Sequence, residues 1–435
     1  MKNIKRKVLC ILMTVIVASQ MVSCTKTISE TSISGKNKQE FTPRLDTEKK
    51  VSLEMAGFMG NFEALDQVVN NFNEIYPNVT ITYEHNDYYM LSEYIKNNQG
   101  LDIFMVKDEN IYYPEVEVNN VLPYCLDLGA QDIDLSAINQ EVLEAGRIDG
   151  ALVRIPLALN PCGIVVNETL LQKEGLSVPK NYEEFIQTMQ TLKERGYTPL
   201  QGSQGHLYAE ISLNMLMNII AEDDSLLTQL ESGDNAAVEK VQPVFEKLNT
   251  IIDNGYTDYE LNCTYPSDNY DAAILSFFKG DVPFWVCNAE SFSGTKKRES
   301  KSEEYSKNPF NYEFMYAPYG DNGAYAYTEA WYGFAVNKDS DDVDYAVEFM
   351  RFLATGSQLN LMATIKGMPS VTMDGTDERY PALKSQDNIE AAYTDNGKIE
   401  KKIRSVYTQI STDFGAGMYK DAKVAAQAFV EAVAK

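Results

Sequence analysis

The sequence predicts an α/β protein with two lobes. From residue 51 onward, the apolar segments 51–56, 79–83 and 101–106 have the composition of short buried strands, and the segments between them have helical spacing. Alternation of this kind favours a parallel sheet with helices on both faces. The chain has 435 residues, 44% of them hydrophobic, which is enough for two sizeable cores.

The first predicted helix follows a glycine-containing turn at 57–60. Asn61 can cap this helix, and one face of it carries apolar side chains at steps of three and four residues: Phe62, Leu65, Val69 and Phe72. A second helix is predicted at 88–98, before the third strand. Ligands of parallel sheets bind at the carboxyl ends of the strands, so the loops 58–61 and 107–110 are candidate binding loops.

The block 146–201 predicts a further strand and two helices. Residues 163–167 form an apolar run typical of a buried strand, and 168–173 continue as a short helix. Asn181 and Glu184, three residues later, make a capping arrangement at the start of a longer helix. Gly196 is placed to end that helix.

Residues 1–23 have the features of a bacterial export signal. A basic start precedes an apolar run at 8–18, which is within the roughly 7–15 residues usual for a signal peptide and too short to cross a bilayer. Cys24 follows Ser23 in a segment that resembles a lipobox, so we expect cleavage before Cys24 and lipidation of its thiol. The alternative is an ordinary secretory signal with an incidental cysteine. Residues 24–50 are predicted to be the lipidated cysteine and a flexible, polar tether.

The charge balance and the histidine count exclude several classes of function. There are 38 Lys and Arg against 63 Asp and Glu, a formal net charge of −25, which repels phosphate backbones and makes nucleic acid an unsuitable partner. Only two histidines occur, and the sequence contains no H-E-x-x-H, no nucleophile elbow and no phosphate-binding loop. We expect no enzyme activity, no cofactor and no metal. A glycosidase, which needs only two carboxylates, stays open as an alternative.

The cysteines beyond the signal region do not identify a redox or metal site. Cys125, Cys162, Cys263 and Cys287 show no C-x-x-C spacing. Four cysteines allow three pairings, and free buried thiols are equally compatible with the sequence.

Three blocks of the chain, taken in order, resemble family 1 extracellular solute-binding proteins, the family of maltose-binding protein. They are GRIDGALVRIPLALNPCGIVVNETLLQKEGLSVPKNYEEFIQTMQTLKERGYTPL, AAILSFFKGDVPFWVCNAESF and AWYGFAVNKDSDDVDYAVEFMRFLATGSQLNLMATIKGMPSV. The resemblance implies a two-lobed periplasmic-binding-protein-like fold of type II, each lobe a mixed, mostly parallel sheet flanked by helices. Lobe 1 would comprise 51–157 and 329–371, and lobe 2 would comprise 161–328 and 372–435. The hinge would lie near 157–161 and 327–331.

The resemblance also implies a function. The protein would bind a carbohydrate in the cleft between the lobes, close around it, and deliver it unchanged to the permease subunits of an ATP-driven (ABC) importer, as a monomer held to the cell membrane by Cys24. A surface glycan-binding lipoprotein that works without an importer is the second alternative.

Sugars present C–H faces to aromatic rings and hydroxyls to polar groups, and the candidate ligand-binding residues supply both. Trp285 and one of Trp331 or Tyr332 are predicted to stack on the ligand, although either tryptophan could equally be a core residue. Polar groups are predicted at Asn288, Asn61 and Asp108, and Asn288 could instead cap a turn. The remaining candidates are Phe58, which could instead staple the first helix, the loop residue Lys107, which could be merely solvated, and Tyr208 with its neighbour Glu210.

Overall fold

Strands and helices alternate along the chain in the computed structural model, which describes residues 41–60, 62–86, 91–98, 100–107, 120–144, 146–202, 207–223, 225–263, 270–320, 327–372, 393–394 and 401–435. The strands are β1 Val51–Gly57, β2 Val79–His85, β3 Leu101–Val106, β4 Arg147–Ile148, β5 Ala151–Leu152, β6 Ile155–Pro156, β7 Leu159–Asn167, β8 Leu200–Gly202, β9 Phe284–Asn288, β10 Tyr312–Met315, β11 Tyr327–Ala330, β12 Gly333–Val336 and β13 Tyr393–Thr394.

The α-helices are α1 Glu63–Asn73, α2 Leu91–Asn97, α3 Gln140–Glu144, α4 Glu168–Lys173, α5 Tyr182–Glu194, α6 Leu207–Glu222, α7 Leu226–Ser232, α8 Asn235–Asp253, α9 Tyr259–Cys263, α10 Tyr270–Phe277, α11 Ala289–Arg298, α12 Glu303–Lys307, α13 Val343–Leu353, α14 Gly356–Lys366, α15 Lys401–Gly415 and α16 Ala422–Val433. Helix α5 shows how local sequence sets these boundaries. The Glu184 N–H donates to Asn181 Oδ1 at 2.9 Å, and the Lys180 N–H donates to Glu184 Oε2 at 2.9 Å, as predicted from the capping arrangement.

The first sheet has the strand order β2-β1-β3-β12-β6. β1 pairs in parallel with β2 and β3, whereas β12 pairs antiparallel with β3 and β6. β3 is buried along its whole length, as expected for a strand covered on both faces. Helices α1 and α13 pack against strands of this sheet.

The second sheet has the order β13-β11-β7-β9-β8, with β10 also paired to β7. β7 is antiparallel to β9, β10 and β11, and the parallel pairs are β8 with β9 and β11 with β13. The α/β class and the mixed orientation are confirmed, but among the described strands of this sheet antiparallel pairs outnumber parallel ones, contrary to the predicted mostly parallel arrangement.

Two adjacent segments connect the sheets. One runs from β6 to β7 through Leu157 and Ala158, and the other runs from β11 to β12 through Trp331 and Tyr332. They hold each other by backbone hydrogen bonds, from the Trp331 N–H to the Ala158 oxygen at 2.8 Å and from the Leu157 N–H to the Tyr332 oxygen at 3.0 Å. We call these two segments the crossing segments.

Residues Thr42–Lys435 form one compact unit, and residues at its beginning are fastened to helix α13. Glu348 of α13 accepts hydrogen bonds from the Arg44 backbone N–H at 2.9 Å and from the Tyr76 hydroxyl at 2.5 Å, and its carboxylate pairs with Arg351 at 2.8 Å. Arg351 also donates to the Thr42 backbone oxygen at 2.6 Å. This corrects the prediction that residues 24–50 are a flexible tether throughout, because the Thr42 oxygen and the Arg44 N–H are bonded to the Arg351–Glu348 ion pair.

The thiols of Cys125, Cys162, Cys263 and Cys287 are all free, which settles the choice between disulfides and thiols. Cys24 lies outside the described residues. None of the helices that the structure describes has the length and apolar character needed to cross a membrane.

Candidate functional site

A cavity of about 510 Å³ lies where the crossing segments meet the second sheet. The end of β3 borders it from the first sheet through Lys107, and strands β7, β9 and β11 border it from the second sheet. Helices α6 and α15 complete its wall. The volume is within the range of about 300–1,000 Å³ that is usual for small-molecule sites.

Two aromatic rings of the crossing segment form one part of the wall. The centroids of the Trp331 and Tyr332 rings are 4.7 Å apart and their planes are inclined by 37°. Trp331 is only 3% exposed, and Lys366 Nζ lies 4.8 Å from its ring centroid. Tyr332 is half-buried and is supported edge-on by Phe58 at 5.9 Å. Because a lysine already covers the Trp331 ring, Tyr332 is the ring more open to a ligand.

A hydrogen-bonded group of polar side chains forms another part of the wall. Arg404 Nη1 lies 2.6 Å from Glu329 Oε2, and Asn160 Nδ2 donates to Glu329 Oε1 at 3.3 Å. The register of β11 on β7 places Glu329 opposite Asn160, which is why these two side chains meet. Asn160 is buried, and its oxygen accepts the Glu290 N–H at 3.0 Å. The four residues therefore hold one another in place.

The beginning of helix α11 supplies Asn288 and Glu290. The Asn288 oxygen caps the helix by accepting the Ser291 N–H at 2.9 Å, which leaves its amide nitrogen as a donor for a ligand. Burial raises the pKa of Glu290, while Trp331, Lys366 and Lys107 act in the opposite direction. The Trp331 Nε1 atom is buried without a hydrogen bond of ordinary geometry, and its proximity still favours the ionised form of Glu290.

Glu210 of helix α6 is the most strongly perturbed carboxyl group of the cavity. Burial raises its pKa to about 8, and the negative charge of Glu329 adds to this effect. At neutral pH its side chain is therefore mostly a carboxylic acid, which can both donate and accept a hydrogen bond. The thiol of Cys162 lies in the same wall, and burial holds its pKa well above the ordinary value.

Of the sequence-predicted site residues, Trp331, Tyr332, Asn288 and Lys107 line the cavity. Phe58 contacts Tyr332 and lies one side chain behind the wall. Asn61 and Asp108 lie outside the described residues. The structure therefore brings part of the predicted set together at one place.

The position of Trp285 corrects the prediction that this ring stacks on a ligand. β9 pairs with β7 so that Asn288 is opposite Cys162, whereas Trp285 is opposite Val165. Side chains alternate between the faces of a strand, and three residues separate Trp285 from Asn288, so the two point to opposite faces of the sheet. Trp285 is 4% exposed in an apolar cluster with Phe277, away from the cavity wall.

The prediction that Tyr208 binds the ligand is wrong for a similar reason. Its ring is 4% exposed in the core of the second sheet and stacks on Tyr259 at 6.1 Å. Its hydroxyl bonds to the side chains of Thr257 and Asn262, and burial raises its pKa to about 12. The neighbouring residues Ala209 and Glu210 line the cavity, so this part of helix α6 borders it although the Tyr208 ring does not.

Sequence reasoning missed four residues of the polar wall: Asn160, Glu290, Glu329 and Arg404. Asn160 and Glu329 lie within the predicted hinge ranges 157–161 and 327–331, so a search for polar side chains there would have found them. Arg404 belongs to a C-terminal helix without a motif, and no local signal marks it.

Two sheets joined by crossing segments, with a small-molecule cavity at the junction, define a two-lobed binding protein. The chain matches the family model described as bacterial extracellular solute-binding protein over residues 67–397. It therefore belongs to the bacterial extracellular solute-binding protein family.

Solved structures of this fold match nearly the whole chain. A family 1 extracellular solute-binding protein from Bifidobacterium longum subsp. infantis aligns with a TM-score of 0.64 at 15% identity, covering 88% of this chain and 98% of that one. The GacH receptor of Streptomyces glaucescens, described unliganded and with acarbose, aligns with a TM-score of 0.65 at 15% identity, with coverages of 88% and 98%. A Bacillus licheniformis sugar transporter in complex with stachyose aligns with a TM-score of 0.57 at 18% identity, covering 87% of this chain and 98% of that one. Identities this low establish the fold alone.

Proposed function

We propose that this protein is the lipid-anchored solute-binding component of an ABC importer and that it binds a carbohydrate in the cavity at the crossing segments. The ligand is held by stacking on Tyr332 and by hydrogen bonds, the lobes close around it, and it is passed on chemically unchanged. Family membership supports a solute-binding role, and the acarbose and stachyose complexes of proteins with this fold support a carbohydrate ligand.

The observation that carries the proposal is the composition of the cavity wall. The wall combines the aromatic pair Trp331 and Tyr332 with carboxyl, amide and guanidinium groups that can bond to hydroxyls. A pyranose has the same two kinds of surface, an apolar C–H face and a rim of hydroxyls. Micromolar capture requires about 8 kcal/mol of binding free energy, which a stacked ring with several hydrogen bonds can supply.

The crossing segments also support a hinge. The chain passes between the sheets near 157–161 and 327–331, which is where we place the boundary between the lobes. On one side of the cavity, Lys297 of helix α11 and Glu63 of helix α1 approach to 3.8 Å, so the lobes touch through exposed charges that separate easily. Closing of the lobes around a ligand follows the usual pattern of hinged binding proteins.

A thermal-shift screen of the unit Thr42–Lys435 against neutral mono- and oligosaccharides tests this function. A sugar at 100 times its dissociation constant stabilises the folded state by about 2.7 kcal/mol and raises the melting temperature. Small-angle scattering with the same sugar is expected to show compaction, and chromatography is expected to return the sugar intact. Absence of any stabilising carbohydrate, or sustained release of shortened products, would refute the proposal, and the second result would favour the glycosidase alternative.

The stacking role is tested with Tyr332→Ala. Removing the ring that lies most open to the ligand is expected to weaken carbohydrate binding by about 10- to 100-fold in titration calorimetry, since both apolar contact and stacking are lost. Tyr124→Ala is the matched control, because Tyr124 is also half-buried and lies outside the cavity wall. Equal carbohydrate affinities of the two variants would show that the ligand does not stack on Tyr332.

The proposed anchor is tested with Cys24→Ser in the bacterial host. The variant should lose the covalent lipid and move from the membrane fraction to the surrounding fluid, because serine cannot form the thioether. Mass spectrometry of the N-terminal peptide measures the modification directly. A variant that stays with the membrane, or a wild-type peptide without lipid, contradicts anchoring at Cys24.

A further inference from the structure

The cavity wall carries more carboxyl groups than cationic groups. The carboxyl groups of Glu210, Glu290 and Glu329 face the guanidinium of Arg404 and the ammonium of Lys107. Arg404 is paired with Glu329 at 2.6 Å. Lys107 acts on Glu290, whose ionised form it favours. Arg404 therefore already has a carboxylate partner, and Lys107 lies within the electrostatic influence of Glu290.

Glu210 is the carboxyl group of the described wall that has no cation beside it. Its side chain makes no hydrogen bond or ion pair with the residues that the structure describes. The titratable and charged groups around it are acidic or neutral apart from Arg404, which belongs to Glu329: Glu329 on β11, Cys162 on β7, Cys287 on β9, Tyr319 after β10 and Arg404 on α15. The absence of an available cation is consistent with a pKa raised to about 8.

On this basis, and resting on the carbohydrate function proposed above, we propose that the cavity accepts uncharged sugars and rejects sugars that carry a carboxylate, with the Arg404–Glu329 pair excluding the carboxylate and Glu210 bonding to hydroxyls of the neutral sugar. Glu210 presents a neutral acid whose O–H donates to a ligand hydroxyl and whose carbonyl oxygen accepts from one. The Trp331 indole N–H, which favours the ionised form of Glu290, lies in the same wall.

An acidic sugar fits this wall poorly. Its carboxylate would enter a site that already contains three carboxyl groups, and the guanidinium of the wall is already paired. To pair with Arg404, the ligand would have to displace Glu329 and leave Glu329 uncompensated beside Glu210. A neutral hydroxyl requires no such exchange.

Matched pairs of sugars test the specificity at pH 7 by titration calorimetry on the unit Thr42–Lys435. The pairs are galactobiose with digalacturonate and xylotriose with its glucuronosyl-substituted form. We expect the uronate member to bind at least about 100-fold more weakly than its neutral counterpart. The Glu329→Gln variant frees Arg404 and removes the repulsion on Glu210. We expect it to reduce the difference in affinity between the neutral sugar and the uronate.

The pH dependence of binding tests the hydrogen bonds that we propose for Glu210. Between pH 7 and pH 9 the acid with a pKa of about 8 loses its proton, so the affinity of the wild type for the better neutral sugar should fall about tenfold. Glu210→Gln should abolish this fall, because an amide keeps its donor at both pH values. Glu239→Gln is the control, since Glu239 is exposed on helix α8, and it should retain the wild-type slope.

The outcomes separate the two proposals. Uronates that bind as tightly as neutral sugars, or a wild-type slope retained in Glu210→Gln, would overturn the specificity inference and leave carbohydrate binding intact. Failure of every sugar in the panel would overturn the carbohydrate function, and this inference with it. A ligand-free readout is the carboxyl carbon of Glu210 in NMR, assigned by its loss in Glu210→Gln. An ionised Glu210 at pH 7 would also overturn the inference.

Discussion

Trp285→Ala is expected to lower the free energy of unfolding by about 3–5 kcal/mol while changing ligand affinity by less than about threefold. Trp285 lies in the apolar cluster behind the second sheet, with the Phe277 ring centroid 6.3 Å away. Truncation leaves a large void on that face, and Asn288 on the other face keeps its position at the start of helix α11. Urea unfolding measures the stability, and calorimetry below the transition measures the affinity.

The matched comparison for Trp285→Ala is the cavity variant Tyr332→Ala. Tyr332 is half-buried, so its truncation removes less core packing but more ligand contact. The two variants should therefore show opposite patterns, one losing stability and the other losing affinity. Loss of binding by Trp285→Ala at unchanged stability would restore the original interpretation of Trp285 as a stacking ring.

Glu348→Ala is expected to destabilise the protein by about 3–5 kcal/mol. Although burial acts to raise the pKa of Glu348, its hydrogen bonds from Arg351, Tyr76 and the Arg44 backbone give a net lowered pKa, so the folded state favours the carboxylate. Removing that carboxylate leaves the buried Arg351 guanidinium without its partner. Guanidinium unfolding curves at pH 7 give the change in stability.

The contribution of the Glu348–Arg351 pair to the stability of the folded state depends on pH. The pKa of Glu348 is lowered on folding. Its stabilising effect is therefore fully present above the pKa of the unfolded state and is lost as the pH falls through the pKa of the folded state. A double-mutant cycle with Arg351→Ala supplies the control. Strict additivity of the two substitutions would contradict coupling between these side chains.

Local signals predicted local structure well. Helix α5 carries its own start signal in Asn181 and Glu184, and both hydrogen bonds of that signal form. The first three strands were predicted from short apolar runs bounded by turn residues, and they pair in one sheet. Each of these features is determined within a few residues of the chain.

The error at Trp285 has a physical cause. Both faces of β9 are covered, because Phe284 and Val286 pack in one apolar cluster and Trp285 and Cys287 pack in the other. An alternating apolar and polar pattern is therefore missing, and without it the sequence does not show which face is directed to the cavity. Family resemblance located the strand but not its orientation.

The polar wall and the sheet topology depend on contacts between distant parts of the chain. Arg404 and Glu329 are 75 residues apart, and Glu329 meets Asn160 only through the pairing of β11 with β7. The perturbed acid Glu210 likewise owes its state to burial and to Glu329, neither of which is visible in its neighbours along helix α6. Tertiary assembly creates this site, and single-residue patterns do not encode it.

The attachment of Thr42 and Arg44 to helix α13 determines how a mechanical pull on the N-terminal side of the protein is transmitted. Tension arriving at Thr42 passes through Arg351 and Glu348 into a helix that packs on β1, β3 and β12. The route enters the molecule through the first sheet, so tension that arrives at Thr42 does not act directly on the crossing segments.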